Sequence, residues 1–290
     1  MRNAPLFVTR RQFVQAAGAA TLAAAVPLRA AEPAPWTLRL SLSTVMFAET
    51  PIERVCEFAA SLGFQAIDIW CPFDKCKHLD DVVQRLGPDG LKALLAKHKL
   101  AVSAFTVYNG GLARYGEFIG RFGGGVAVQG SQGGTYKPDQ IVPAMKQFFE
   151  KLKPAIEQAG NANIQLAVEN HGSALLDSVD SFKAFVDLNP DPKHVGIALA
   201  PYHMQAINAA VEETIAICGP QLLFFYAWQH AAGKDQLPGH GKTDFAPWLN
   251  ALAKSGHPQY LNPFMHGNVP EKEMAEALVK ASDYLKEKRR

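Results

Sequence analysis

Excess charge is what this chain most lacks. Its 29 Lys and Arg exceed its 27 Asp and Glu by only two, and the first thirty residues contribute four arginines (Arg2, Arg10, Arg11, Arg29) and no acid. Without that segment the balance is 25 to 27, so the slight basicity carries no sign of nucleic-acid binding. The basic tail at 286–290 suits the solvated end of a helix, where cations meet the negative end of the dipole. Beyond residue 30 no apolar run is long enough to cross a membrane. Nucleotide-binding fingerprints are missing as well: no Gly-x-Gly-x-x-Gly follows the first strand-like run, and Gly239-His-Gly-Lys-Thr243 lacks the spacing and the preceding strand of a phosphate loop. Cysteine is sparse, and Cys56, Cys71, Cys76 and Cys218 lack the tight spacing of a four-thiolate zinc site. Cys71-Pro-Phe-Asp-Lys-Cys76 leaves two readings, a small loop disulfide in an oxidising compartment or a pair of free thiols. Cys56 and Cys218 read as buried helix residues.

What is present begins with Thr9-Arg10-Arg11-Gln12-Phe13-Val14, a twin-arginine pattern, followed by an alanine-rich, weakly apolar run to Leu28 and a small-residue stop at Leu28-Arg29-Ala30. Residues 1–30 are therefore expected to be a twin-arginine signal, and the rest a periplasmic or otherwise exported protein with no membrane insertion after processing. The remaining length, about 260 residues, fits one (β/α)8 barrel over 36–290.

Short β-branched or aromatic runs alternate with helical patterns at intervals of roughly 30 residues, the size of a βα repeat. Strands are expected at 38–43, 66–70, 101–107, 126–129, 165–169, 195–200, 222–229 and 260–266. Helices are expected at 51–62, 90–99, 138–159, 178–188, 205–218, 245–255 and 270–288. Residues 109–125 are too glycine-rich for a full helix and read as a long loop. Eight alternating units predict an α/β fold, a single-domain (β/α)8 TIM barrel.

Chemistry in such a barrel gathers at the C-terminal ends of the strands. Here strand five ends in Glu169-Asn170-His171, strand six in Pro201-Tyr202-His203, strand seven in Trp228-Gln229-His230 and strand eight in Met265-His266-Gly267. Four adjacent strands thus deliver carboxylate, amide or imidazole groups to one mouth. Such a set suits a divalent ion (manganese, iron, cobalt, nickel, zinc or magnesium), which would polarise a carbonyl and acidify the neighbouring carbon. Trp70, Tyr108, Tyr202, Tyr226 and Trp228 lie at or near strand ends, where aromatic faces stack on sugars or fill the barrel. Lys242 and His240 are placed to cover a substrate. Asp68 reads as a support for a site residue or a buried hydrogen-bonded acid, and His78, His98, His194 and His257 read as solvated.

Val168-Glu169-Asn170-His171, the run from Val195 to Pro201-Tyr202-His203, Pro238-Gly-His-Gly241 with Asp244-Phe245, and the polar end of strand eight together resemble the xylose isomerase-like TIM-barrel superfamily of sugar isomerases and epimerases. The resemblance implies a metal held by Glu on strand five, Asp on strand six, His or Gln on strand seven and Glu on strand eight. Glu169 matches the first, while Ala200 stands at the Asp position and His266 at the last. The implied ligands are Glu169, His203, Gln229 and His266, with His230 the rival of Gln229. The implied proton-transfer groups are Glu169, His171 and His203, and the implied sugar contacts Trp70, Tyr108, Trp228, His230 and His240. The expected activity is isomerisation or epimerisation of an unphosphorylated sugar or keto-sugar, a small carbohydrate being the partner. The alternatives are elimination from a 3-keto-glycoside and sugar binding without turnover. The sequence leaves the oligomeric state open.

Overall fold

A computed structural model describes residues 36–257, 259–267 and 269–289. The expected signal segment, 1–30, lies outside them. Eight strands run parallel in sequence order: β1 (Ser41–Ser43), β2 (Ala66–Trp70), β3 (Ala101–Thr106), β4 (Gly125–Gly130), β5 (Ile164–Glu169), β6 (Val195–Leu199), β7 (Leu222–Ala227) and β8 (Leu261–Pro263). A parallel bridge between Leu40 and Leu261 brings the last strand back to the first. The result is the expected (β/α)8 barrel.

The helices that follow the strands are α1 (Ile52–Ser61), α2 (Gly87–His98), α3 (Gly111–Phe122), α4 (Pro138–Asn161), α5 (Val179–Leu188), α6 (Pro201–Ala206), α7 (Val211–Cys218), α8 (Ala246–Ser255) and α9 (Glu271–Arg289). Two differ from expectation. The stretch read as a loop between strands three and four contains α3. Its interior glycines, Gly116 and Gly120, sit four residues apart on one helix face, against α4. A Cβ on Gly116 would stand 2.3 Å from Gln158 Nε2, and one on Gly120 would stand 3.0 Å from the Ala162 Cβ just past α4. These glycines admit a close helix contact instead of breaking the helix. Conversely, the helix expected over 205–218 is broken between α6 and α7, where Asn208 takes a φ of +56°.

Two apolar layers result. Outward-facing strand residues such as Ile67, Phe105, Val168 and Phe225 join the helices in the larger one. The smaller lies inside the barrel and includes Trp70, Val128, Ala167, Ala198, Phe224, Tyr226 and Phe264. Side chains alternate with period two along a strand. Glu169, two residues after Ala167, therefore turns to the barrel interior at the end of β5. The four cysteines are all buried free thiols, which decides Cys71 and Cys76 against the disulfide. Cys76 Sγ lies 3.2 Å from His78 Nδ1, and His78 Nε2 lies 2.7 Å from the Thr50 carbonyl oxygen. His78 and His257 are buried, contrary to the expectation that they are solvated.

Candidate active site

β5 carries its carboxylate to the barrel mouth because Leu166–Val168 are fully buried and pair on both sides, Gly130 lying opposite Glu169 on β4 and Ala198 on β6. Asn170 then locks the strand end. Its Oδ1 accepts from the Ala200 amide at 2.6 Å and its Nδ2 donates to the Ala200 carbonyl at 3.1 Å. The chain leaving β5 is tied to the chain leaving β4: Gly134 donates to the Ser173 carbonyl, Leu175 to the Gln132 carbonyl, and Leu176 to Ser131 Oγ. These two loops form one wall of a cavity of about 350 Å³. Glu169, His171, His266, Tyr108 and Phe73 line it, together with backbone and small side chains of the paired loops. No Lys or Arg is among the lining residues.

Glu169 is 6% exposed, and its Oε2 has no hydrogen-bond partner. Burial pushes its carboxyl well above the usual range, the charge of Asp68 adds to that, and the Tyr226 hydroxyl opposes it. Tyr226 is itself buried among the interior aromatics, and its hydroxyl makes no well-formed hydrogen bond. A carboxyl held above its usual range is a stronger base once ionised, suited to take up a proton from a substrate.

His203 is buried on α6, and its ring lies 4.1 Å from that of His171. Burial, reinforced by the neighbouring His171, His266 and His230, lowers its pKa to about 3, so the imidazole is neutral. Its Nε2 has no partner. His266 also lines the cavity, packed edge-on to Trp70, Trp228 and Phe264, and burial lowers its pKa.

The other expected site residues are placed differently. Gln229 lies one residue out of register with the inward-facing Tyr226 and Trp228. Its Nε2 donates to the Leu237 carbonyl at 2.8 Å and its Oε1 accepts from the Thr243 amide at 2.9 Å, so both ends of the amide are committed to the following loop. His240 Nε2 contacts the Ala277 carbonyl of α9 at 3.0 Å and not the cavity. Trp70 is 1% exposed, stacked on Phe264 and bonded to Asp68; it supports the cavity without lining it. Trp228 is stacked on Tyr202 at 4.3 Å and donates to Gln236 Oε1, leaving no face free for a sugar. His230 is exposed and packs edge-on to Tyr202.

These placements decide how far the residues fit a metal. Among the described residues, no three His, Cys, Asp or Glu side chains are grouped as ligands. Gln229 is on the wrong face, and the inward positions of β6, β7 and β8 near Glu169 carry Ala198, Tyr226 and, just past β8, Phe264. Of the expected ligands Glu169, His203, Gln229 and His266, only Glu169 Oε2 and His203 Nε2 are unpartnered, while Gln229 is bonded to its own loop and His266 packs on aromatic edges, so the four are not assembled as a shell in this arrangement. Sequence reasoning also missed Phe73, whose signal was an aromatic residue in a tight Cys-to-Cys turn beside a strand end.

The xylose isomerase-like TIM barrel family matches residues 56–288. The chain belongs to that family. Several solved structures share the fold. The zinc-bound IolI protein superposes with a TM-score of 0.65 at 16% identity, covering 87% of this chain and 98% of that one. The Escherichia coli 3-keto-D-glucoside 4-epimerase YcjR gives 0.66 at 16%, covering 85% and 100%. A fusion of a xylose isomerase-like barrel with 4-hydroxyphenylpyruvate dioxygenase gives 0.65 at 16%; the match covers 88% of this chain but only 44% of the fusion. No curated protein sequence matches the chain. At these identities the likeness establishes the fold, while the chemistry rests on the residues of the cavity.

Proposed function

We propose that this barrel is an enzyme that moves a proton at the carbon next to a carbonyl in an uncharged keto-sugar, isomerising or epimerising it. The observation that carries this reading is Glu169, a buried carboxyl with an unpartnered oxygen at the wall of the mouth cavity. In its ionised form it accepts the proton, the C–H electron pair passes into a carbon–carbon double bond, and negative charge develops on the carbonyl oxygen. Returning the proton to a different face or carbon gives the product. His171 and His266, on the cavity wall, are placed to donate hydrogen bonds to that oxygen, and His203 supports His171 from behind. A neutral His203 fits this task, because a charged neighbour would hold Glu169 ionised and weaken it as a base.

The absence of Lys and Arg from the cavity lining argues for an unphosphorylated substrate. Twin-arginine export, suggested by Arg10-Arg11, agrees with this by placing the enzyme outside the cytoplasm. A second reading is elimination from a 3-keto-glycoside, which begins with the same proton removal and ends with expulsion of the aglycone. It is favoured by the exposed aromatic rim of the cavity and agrees with the fold shared with a 3-keto-D-glucoside 4-epimerase.

Incubating the purified protein in deuterated water with free keto-sugars and 3-keto-glycosides tests both readings. Deuterium gained next to the carbonyl with an altered sugar supports the first, and a released aglycone supports the second. Glu169→Gln should abolish either. Binding with no exchange would leave a sugar-binding protein and overturn both.

A further inference from the structure

Five large apolar side chains are exposed among the described residues: Phe73, Tyr108, Val142, Ile207 and Val279. Only Phe73 and Tyr108 are aromatic, at 37% and 36% exposure, and both line the cavity that holds Glu169. Each meets the buried Trp70 edge to face or nearly so, with centroids 5.6 and 5.5 Å away and interplanar angles of 69° and 75°. Trp70 is fixed from below by its stacking on Phe264 and its hydrogen bond to Asp68. The rings are held from the backbone side as well. Phe73 and Cys76 exchange both of their backbone hydrogen bonds across the turn, and Cys71 donates to the Thr106 carbonyl. The Asn109 amide donates to Cys71 Sγ at 3.3 Å, tying the loop that carries Phe73 to the loop that carries Tyr108.

We infer that Phe73 and Tyr108 form a binding subsite for a second ring, the group attached to the reacting sugar, so that the preferred substrate is a glycoside and not a free monosaccharide. This rests on the reading of Glu169 as the proton-transfer group, which fixes where the reacting ring sits. Two rigidly mounted aromatic rings exposed at a cavity rim present apolar surface at little entropic cost on binding. A ring with an apolar face satisfies them; it can be an aromatic aglycone or a second sugar. The lining offers no Lys or Arg, so the attached group is not an anion.

Methyl glucoside, phenyl glucoside and cellobiose, all unreactive probes, separate these cases when titrated calorimetrically into the full protein. Phenyl glucoside or cellobiose should bind about tenfold more tightly than methyl glucoside, the tighter of the two identifying the aromatic or the sugar source. Phe73→Ala and Tyr108→Ala should each reduce that preference about threefold to tenfold, and Phe73→Tyr should retain it. Equal binding of all three probes, no binding of any, or a preference that survives both alanine replacements would overturn the subsite. Glu169→Gln keeps the preference if the subsite is real. Undiminished deuterium exchange in that variant would overturn the proton-transfer reading alone, leaving the ring preference as a separate result.

Discussion

Among the described residues two carboxylates are buried, and they are opposites. Asp68, on β2, is wholly buried, and three donors converge on it: Ser43 Oγ at 2.6 Å, Trp70 Nε1 at 2.6 Å and Thr106 Oγ1 at 2.7 Å. Ser43 extends the network to Asn262, and Asn262 to Ser41, stitching the first strands to the last. Glu169, across the interior on β5, has an oxygen with no partner and a cavity in front of it. Burial raises both pKa values, Asp68 to about 6 despite its three hydrogen bonds and Glu169 well above its usual range. The difference lies in satisfaction. A saturated buried acid holds strands together, whereas an unsatisfied one is costly unless a ligand completes it.

The largest effect that would separate the two is on rate. Glu169→Gln keeps the shape and removes the proton, so deuterium exchange should fall by roughly 10²- to 10⁴-fold while the melting temperature stays within a few degrees of the parent. An active Glu169→Gln would make the two carboxylates alike and end the functional assignment. Asp68→Ala should do the reverse. It leaves three buried donors facing a cavity and should cost about 3–5 kcal/mol, lowering the melting point by about 10 °C, with much of the activity per folded molecule kept. The milder Asp68→Asn tests their coupling. Because the charge of Asp68 helps to raise the Glu169 carboxyl, removing it should move the acid limb of the pH–rate profile to lower pH. A stationary limb would mean that burial alone sets the proton affinity of Glu169.

A smaller effect appears in stability against pH. A carboxyl whose pKa is raised on folding binds protons more tightly in the native state. Its contribution is full below the unfolded value and is lost as pH rises through the folded one. For Asp68 that loss spans pH 3.8 to about 6, and for Glu169 it begins near 4.5 and extends upward. His203 has the opposite sign: its lowered pKa contributes above 6.5 and is lost as pH falls toward about 3. Denaturant melts of Glu169→Gln and the parent should therefore diverge in favour of the variant as pH rises above 4.5. A constant difference across pH would show that Glu169 has the same proton affinity folded and unfolded.

How much of this comparison the sequence carried depends on the range of the interactions involved. The eight strands and the strand-five terminus at Glu169 were legible because alternation and strand length are local properties. The helix over Gly111–Phe122 was not, because whether Gly116 and Gly120 break a helix or admit a neighbour depends on Gln158 and Ala162, some forty residues away. Gln229 was misplaced by one step of strand register, which turns a side chain to the opposite face. The contrast between Asp68 and Glu169 was out of reach for the same reason as the helix. Both are acids on apolar strands, and only the barrel closure decides that Ser43, Trp70 and Thr106 gather around one while the other faces a cavity. Phe73 was overlooked because its turn was read for its cysteines.

The smallest expected effect concerns metal, and it bears on what completes Glu169. If a cation were the missing partner of its Oε2, Gln229 would have to give up both the Leu237 carbonyl and the Thr243 amide, and His266 would have to leave the edges of Trp70, Trp228 and Phe264. Breaking two buried hydrogen bonds and an aromatic cluster costs several kcal/mol before any ligand bond forms. Dialysis against a chelator should therefore leave the melting temperature and the exchange rate unchanged, and adding manganese or zinc should move neither. A melting point that drops on chelation and returns with one equivalent of cation would show that the loop after β7 does rearrange. Glu169 would then be completed as a ligand, and the contrast with Asp68 would become one between a structural acid and a metal-bound one.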